Sequence, residues 1–190
     1  VSEDGVDVRS LRQADLHEQM GFVPQKAVLF TGTIESNIKF GGDDITDKAM
    51  REAADIAQAT EFIESREAGF DEPVSQGGSN MSGGQKQRIS IARALATKPP
   101  ILVFDDSFSA LDYQTDAKLR RALGEKAKDA TVIIVAQRIS TVLHADQIIV
   151  LEEGHMVGKG THGELMRTCE SYREIARSQL SEQELEGGVA

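Results

Sequence analysis

The stretch from Asn80 to Asp112, NMSGGQKQRISIARALATKPPILVFDDSFSALD, constrains the fold more than any other. Ser82-Gly83-Gly84-Gln85 opens a helix with a hydroxyl and small residues. Bare backbone N–H groups and the positive end of the helix dipole therefore converge on one spot, an arrangement suited to phosphate. The helix is expected to run through Gln87–Thr97 and to stop at Lys98-Pro99-Pro100, because proline lacks an N–H and clashes with the preceding turn. Ile101-Leu102-Val103-Phe104 then reads as a short strand buried on both faces. It ends in Asp105-Asp106, two carboxylates at the C-terminal edge of a strand, where open α/β sheets hold their ligands.

Composition narrows the class. At 190 residues the chain suits one domain with a sizeable core. A formal charge of −10 argues against a nucleic-acid partner, which favours a basic surface. The single cysteine, Cys169, permits no internal disulfide and suits a reducing compartment. His17, His144, His155 and His162 show no metal-ligand spacing. No apolar run approaches the roughly 18 residues that a membrane-spanning helix needs. The chain opens on Val with no signal peptide and reads as a piece of something longer.

The rest of the chain falls into alternating elements. Polar Val1–Gln19 holds a short turn or helix near Asp15-Leu16, and Met20–Val23 reads as a strand halted by Pro24. After a loop at Phe40-Gly41-Gly42-Asp43, a helix is expected over Thr46–Ala59, with Ala49, Ala53, Ile56 and Ala57 at helical spacing. Thr60–Arg66 reads as another short helix and Gly69–Ser79 as a polar, Gly-rich loop. Thr115–Lys128 reads as an exposed helix and Thr131–Ala136 as a second continuous apolar strand. Ile148–Leu151 and His155–Val157 flank Glu152-Glu153-Gly154 as a hairpin, and Tyr172–Ser178 reads as another helix. Residues 180–190 are acidic and Gly-ended, with the composition of a disordered tail.

SGGQKQR, an acid-terminated strand and Ser109-Ala110-Leu111-Asp112, in that order, resemble the signature, Walker B strand and D-loop of the ATP-binding cassette (ABC) family. Phe22-Val23-Pro24-Gln25, followed by Leu29–Ile34 and Asn37-Ile38, resembles the Q-loop region of its exporters, and Ala136–Thr141 the switch loop. The resemblance covers about Gly5 to Arg177. It implies an α/β fold with a P-loop NTPase-type parallel sheet core, an inserted helical subdomain over about residues 40–98, and an ABC ATP-binding domain over residues 1–179. ATP and Mg2+ are the implied cofactors. A second nucleotide-binding domain, placed head to tail, and transmembrane domains are the implied partners, at the cytoplasmic face of the plasma membrane. By the same resemblance Ser82, Gly83, Gly84, Gln85 and Asp112 serve the partner's nucleotide. Asp105 and Gln25 hold the metal, while Gln25, Asp106 and Gln137 line this chain's own catalytic edge. The membrane domains are expected to rest on Gln25–Phe30, with Val28-Leu29-Phe30 as an apolar patch, and on Gln76.

Departures from the family pattern sharpen this expectation. Active members carry glutamate at position 106 and histidine at position 137; here aspartate is one methylene short and glutamine cannot carry a positive charge. Gln76 stands where exporters usually have an acid, and Met81 replaces the usual leucine before an intact signature. The chain has no G-x-x-x-x-G-K-[ST]; the phosphate-cradling loop is expected upstream, and this piece alone is expected to bind ATP weakly and to be inactive. Together these features resemble the degenerate-site subunit of a heterodimeric exporter. A homodimeric motor would need Glu and His at 106 and 137. The alternative is a regulatory ATP-binding module of a soluble ABC protein working in DNA repair or translation; six apolar spans upstream would separate the exporter from it.

Overall fold

A computed structural model describes residues 2–3, 5–42 and 44–180, so Asp43 and residues 181–190 of the tail expected over 180–190 lie outside the described residues, while Leu180 itself is buried. The described chain forms two compact units, Val1–Val135 and Ala136–Ala190.

The first unit opens with a small antiparallel pair, β1 (Ser2–Glu3) and β2 (Val6–Asp7), and a short helix α1 (Gln13–Glu18). Its centre is a three-stranded parallel sheet of β3 (Met20–Val23), β6 (Ile101–Asp105) and β7 (Thr131–Val135), with β6 in the middle. Parallel neighbours need a long crossover. That between β3 and β6 carries a second small pair, β4 (Gly32–Thr33) and β5 (Pro73–Val74), and the helices α2 (Ile34–Ile38), α3 (Asp47–Ile56), α4 (Thr60–Glu64) and α5 (Gly83–Ala96). The crossover from β6 to β7 is α6 (Tyr113–Lys126).

Local chemistry explains the boundaries. Thr33, Thr46, Ser82 and Asp112 each cap the helix that follows by accepting a backbone N–H with the side chain, worth about 0.5–2 kcal/mol apiece against alanine. Helix α5 ends at Thr97, just before the expected proline pair. It buries Ile89, Ile91, Ala92, Ala94, Leu95 and Ala96, so apolar groups lie around much of its circumference. Helix α3 buries Met50, Ala53 and Ala54, with Ala57 at its end. The face is thus turned slightly from the expected one: Ala49 is half-exposed and Met50 takes the core position. Close approach of β3 to α5 is possible because residue 21 is glycine; a Cβ there would lie 2.7 Å from the Ala94 carbonyl oxygen.

The sheet corrects one expectation. Only one face of β6 is buried: Leu102 and Phe104 are in the core, while Ile101 and Val103 are half-exposed. Strand β7 ends at Val135 and is open too, with Ile133 49% and Val135 53% exposed, as is Phe22 of β3 at 57%. Phe22, Val103 and Ile133 lie side by side in register, so one apolar sheet face carries no covering layer among the described residues of this unit. An unbroken apolar run shows that both faces suit burial, not that both are covered.

The second unit contains α7 (Ile139–Val142), a hairpin of β8 (Ile148–Glu152) and β9 (His155–Gly160), α8 (His162–Thr168) and α9 (Glu170–Gln179). Glu153 and Gly154 turn the hairpin with φ of 49° and 79°, the two left-handed residues that a tight two-residue turn demands. Its own core gathers Ile139, Ile148, Val150, Leu165, Cys169, Tyr172, Ala176 and Leu180.

Beside that core, buried His162 meets the Tyr172 hydroxyl through Nδ1 at 2.8 Å, while its Nε2 has no partner among the described residues. Burial, with His144 adding to it, lowers the His162 pKa below its ordinary 6.5; burial also pushes Tyr172 up to about 12. Neutral His162 is therefore favoured in the folded state. The stability it contributes is present above pH 6.5 and is lost as pH falls through the folded value, because the unfolded chain binds more protons there. Thermal unfolding between pH 5 and 7.5 is expected to show this acid-side loss, and His162→Gln to flatten it. An unchanged slope in the variant would remove His162 as the cause.

Candidate functional site

Two of the expected catalytic residues meet. Gln25 follows β3 directly after Pro24, and Asp106 follows β6; because the strands are parallel neighbours, their C-terminal ends emerge together. The Gln25 Nε2 donates to Asp106 Oδ2 at 3.1 Å. Asp106 takes a left-handed backbone with φ of 43°, a conformation that aspartate tolerates better than most residues. Its N–H donates to the Val135 carbonyl at 2.8 Å, and its own carbonyl accepts the Ser109 hydroxyl at 2.8 Å. Asp105 closes β6, half-buried, opposite Val135.

The oxygen-rich character of this edge suits a hard cation such as Mg2+. Among the described residues, no group of three or more His, Cys, Asp or Glu could hold a metal by itself.

The signature residues form one cluster at the start of α5. Ser82 Oγ accepts the Gln85 N–H at 3.3 Å, and Gln85 Oε1 accepts the Ser82 N–H at 3.1 Å. This reciprocal capping box corrects the picture of wholly bare N–H groups, since Gln85's is taken. Gly83 has open space where a Cβ would lie, while a Cβ on Gly84 would come within 3.4 Å of the Ala110 carbonyl oxygen. Arg66 donates to Gln85 Oε1 at 3.3 Å and pairs with Glu72 at 3.6 Å, bringing a cation beside the signature. Asp112 caps α6: the N–H of Thr115, and then its hydroxyl, hold the carboxyl below the usual carboxylate range. Gln137 lies in the second unit, two residues beyond Val135, where its carbonyl accepts the Gln179 amide at 2.9 Å.

The apolar patch differs from expectation at one residue. Leu29 is 2% exposed and belongs to the core. Val28 and Phe30 are exposed, and Phe40 joins them, its ring stacked on Phe30 with centroids 4.3 Å apart. Gln76 is exposed on a short turn leading to Gly77 and Gly78, both left-handed. A side chain at Gly78 would press on Lys86 and on the core residue Leu29, its Cβ 2.8 Å from Lys86 Cδ and 3.1 Å from Leu29 Cδ1.

A family model described as ABC transporter matches residues 1–109, more than half of the chain. The chain belongs to the ABC transporter family. It is 46% identical over 179 residues to an uncharacterised ABC transporter ATP-binding protein of Mycobacterium tuberculosis, covering 93% of this chain and 30% of the relative. It is 43% identical over 184 residues to the beta-(1→2)glucan export ATP-binding/permease protein NdvA of Rhodopseudomonas palustris, covering 97% and 31%. In structure it matches a bacterial Atm1-family ABC exporter with ATP bound, with a TM-score of 0.90 and 38% identity over 94% of this chain and 32% of the other. The chain thus spans about 30% of the length of the relatives it matches. Among the described residues no helix is long and apolar enough to cross a membrane.

Within this ABC fold, several residues behind the site had no role assigned from sequence. Asn37, 1% exposed, accepts the Phe30 N–H and donates to the Phe30 carbonyl, both at 2.8 Å, closing the loop that bears the patch. Arg93 donates to the Asn37 carbonyl, the Asn37 side chain and the Val28 carbonyl at 2.7, 2.8 and 3.0 Å, and its guanidinium lies 5.1 Å from the Phe30 ring centroid. Ser107, fully buried, donates to the Val23 carbonyl at 2.8 Å. A polar residue on an otherwise apolar face was the available signal: Asn37 sits between Ile34 and Ile38, and Arg93 among alanines and leucine.

Proposed function

We propose that this chain is part of the ATP-binding domain of an ABC exporter, in the subunit whose own ATP site is degenerate. The observation that carries the reading is the joining of Gln25 to Asp106 at the strand edge, with glutamine at position 137, beside an intact signature. In this reading the complete protein works as a head-to-tail pair with a second, hydrolytically competent nucleotide-binding domain, at the cytoplasmic face of the plasma membrane.

Bound Mg2+-ATP supplies the phosphoryl group and a metal to screen its charge. Asp105, with Gln25, would hold the metal on this chain's side. Asp106 accepts the Gln25 amide and, being one methylene short, serves poorly as a base toward an attacking water; a misplacement of about 1 Å can cost about 10²-fold. Gln137 can donate a hydrogen bond but brings no positive charge. Gly83 and Gly84 offer backbone N–H groups to the partner's nucleotide, with Ser82, Gln85 and Asp112 shaping that edge. Closure of the pair on ATP, and its opening after hydrolysis at the partner's site, pass to transmembrane domains through Gln25, Val28, Phe30, Phe40 and Gln76. Asp106→Glu combined with Gln137→His, in the complete protein with its partner, tests the reading by ATP turnover resolved for each site: hydrolysis at this chain's own site should rise, and unchanged turnover there would refute residues 106 and 137 as the cause of the degeneracy.

A further inference from the structure

Helix α5 begins at the signature and runs beneath the loop that carries Gln25. It grips that loop on both sides of Gln25. Gln87, 1% exposed, donates through Nε2 to the Pro24 carbonyl at 3.1 Å. Arg93, two turns further along, donates to the Val28 carbonyl at 3.0 Å. Only Gln25, Lys26 and Ala27 lie between the two anchors. Pro24 cannot donate an N–H, so its carbonyl is the one backbone polar group it offers, and a buried glutamine amide is costly unless bonded. The Val23 carbonyl, one residue earlier, is held by Ser107 from the end of β6.

We infer that Gln87 is a positioning residue that couples the two ATP sites of the assembly. The proposal rests on the head-to-tail reading above. Ser82–Gln85, at the head of α5, faces one nucleotide in that reading, and Gln25, held by the same helix, faces the other. A displacement of the helix at the signature must carry the Pro24 carbonyl with it, and so shift the Gln25 amide against Asp106. Arg93 makes the same helix move the Val28–Phe30 patch. The contact from Gln87 is the more separable of the two, because it is one neutral hydrogen bond with no ring stacked on it.

The test is a double-mutant cycle in the complete protein with its partner, reading ATP turnover at the partner's site. Gln87→Met keeps the length and packing of the side chain and removes the donor. It is expected to lower that turnover about 3- to 10-fold, the range a lost neutral hydrogen bond spans. Gln25→Ala alone should also lower turnover at the partner's site, and adding it to Gln87→Met should cost less than about a further 2-fold, because coupled residues are not additive. Gln87→Asn, which keeps the amide but falls short of Pro24, should match Gln87→Met. Effects that multiply, or turnover within about 2-fold of wild type in Gln87→Met, would overturn the coupling. So would a melting temperature lowered by more than about 8 °C in both variants, since that would assign Gln87 to the fold alone. Absence of ATP turnover in the wild-type assembly would instead remove the functional reading on which the coupling rests.

Discussion

Ser82→Asp, in the complete protein with its partner, is expected to suppress hydrolysis at the partner's site by about 10²-fold or more while leaving the fold as stable as the parent. Ser82 does two things that most substitutions remove together. Its hydroxyl caps α5 by accepting the Gln85 N–H, and in the functional reading it stands against the partner's phosphates. Ser82→Ala deletes both and should cost about 0.5–2 kcal/mol of stability as well as activity. Aspartate remains a strong N-cap, and its charge suits the positive end of the helix. The same charge repels a phosphate at that spot. Thermal unfolding and turnover measured side by side separate the roles: Ser82→Asp stable and inactive, Ser82→Ala less stable and impaired. A Ser82→Asp protein that hydrolyses at the partner's site as fast as wild type would remove the signature from that site.

The second large effect runs the other way. Asp106→Glu with Gln137→His should raise hydrolysis at this chain's own site by about 10²-fold, the order by which a displacement near 1 Å lowers a rate. The backbone at residue 106 is fixed by its bonds to Val135 and Ser109, so the added methylene extends the carboxylate outward rather than being absorbed by the chain. The left-handed φ of 43° suits glutamate less well than aspartate, and the exchange should cost less than about 1 kcal/mol of stability. Activity gained with slight stability lost is the expected signature. Histidine at position 137 adds a group that can carry positive charge toward developing phosphate charge. Either substitution alone should give a smaller gain, because water orientation and charge stabilisation act on one transition state. Single-turnover hydrolysis assigned to each site is the measurement, and a gain below about 2-fold in the double variant would contradict geometry as the defect.

Much of this was legible in local pattern. Ser82 and Gly83 announce α5, Pro99-Pro100 stops it, and Glu153-Gly154 turns the hairpin; in each case the cause lies within a few residues. Asp105-Asp106 could be placed at a strand end because an apolar run that stops abruptly at two carboxylates marks the point where a buried strand reaches the edge of its sheet. What sequence could not give was the face of things. The runs Ile101–Phe104 and Thr131–Val135 lack alternation, so the pattern holds no information on which side is covered, and one side of the described sheet is open. Leu29, Phe30 and Val28 are similar residues in one loop, yet only Leu29 points into the core. The second layer was hidden for a different reason. Gln87 and Pro24 are 63 residues apart and Ser107 and Val23 are 84 apart, and such long-range hydrogen bonds leave no period in the chain.

In this reading Ser82–Gln85 and Asp105-Asp106, neighbours in sequence, serve different nucleotides with different fates. A photoreactive ATP analogue trapped with vanadate in the complete assembly, with the bound nucleotide identified at each site, distinguishes the two fates. Triphosphate is expected to be retained at the site that Asp105 and Asp106 serve, and diphosphate where Ser82–Gln85 closes it. Diphosphate in equal amounts at both sites would contradict it.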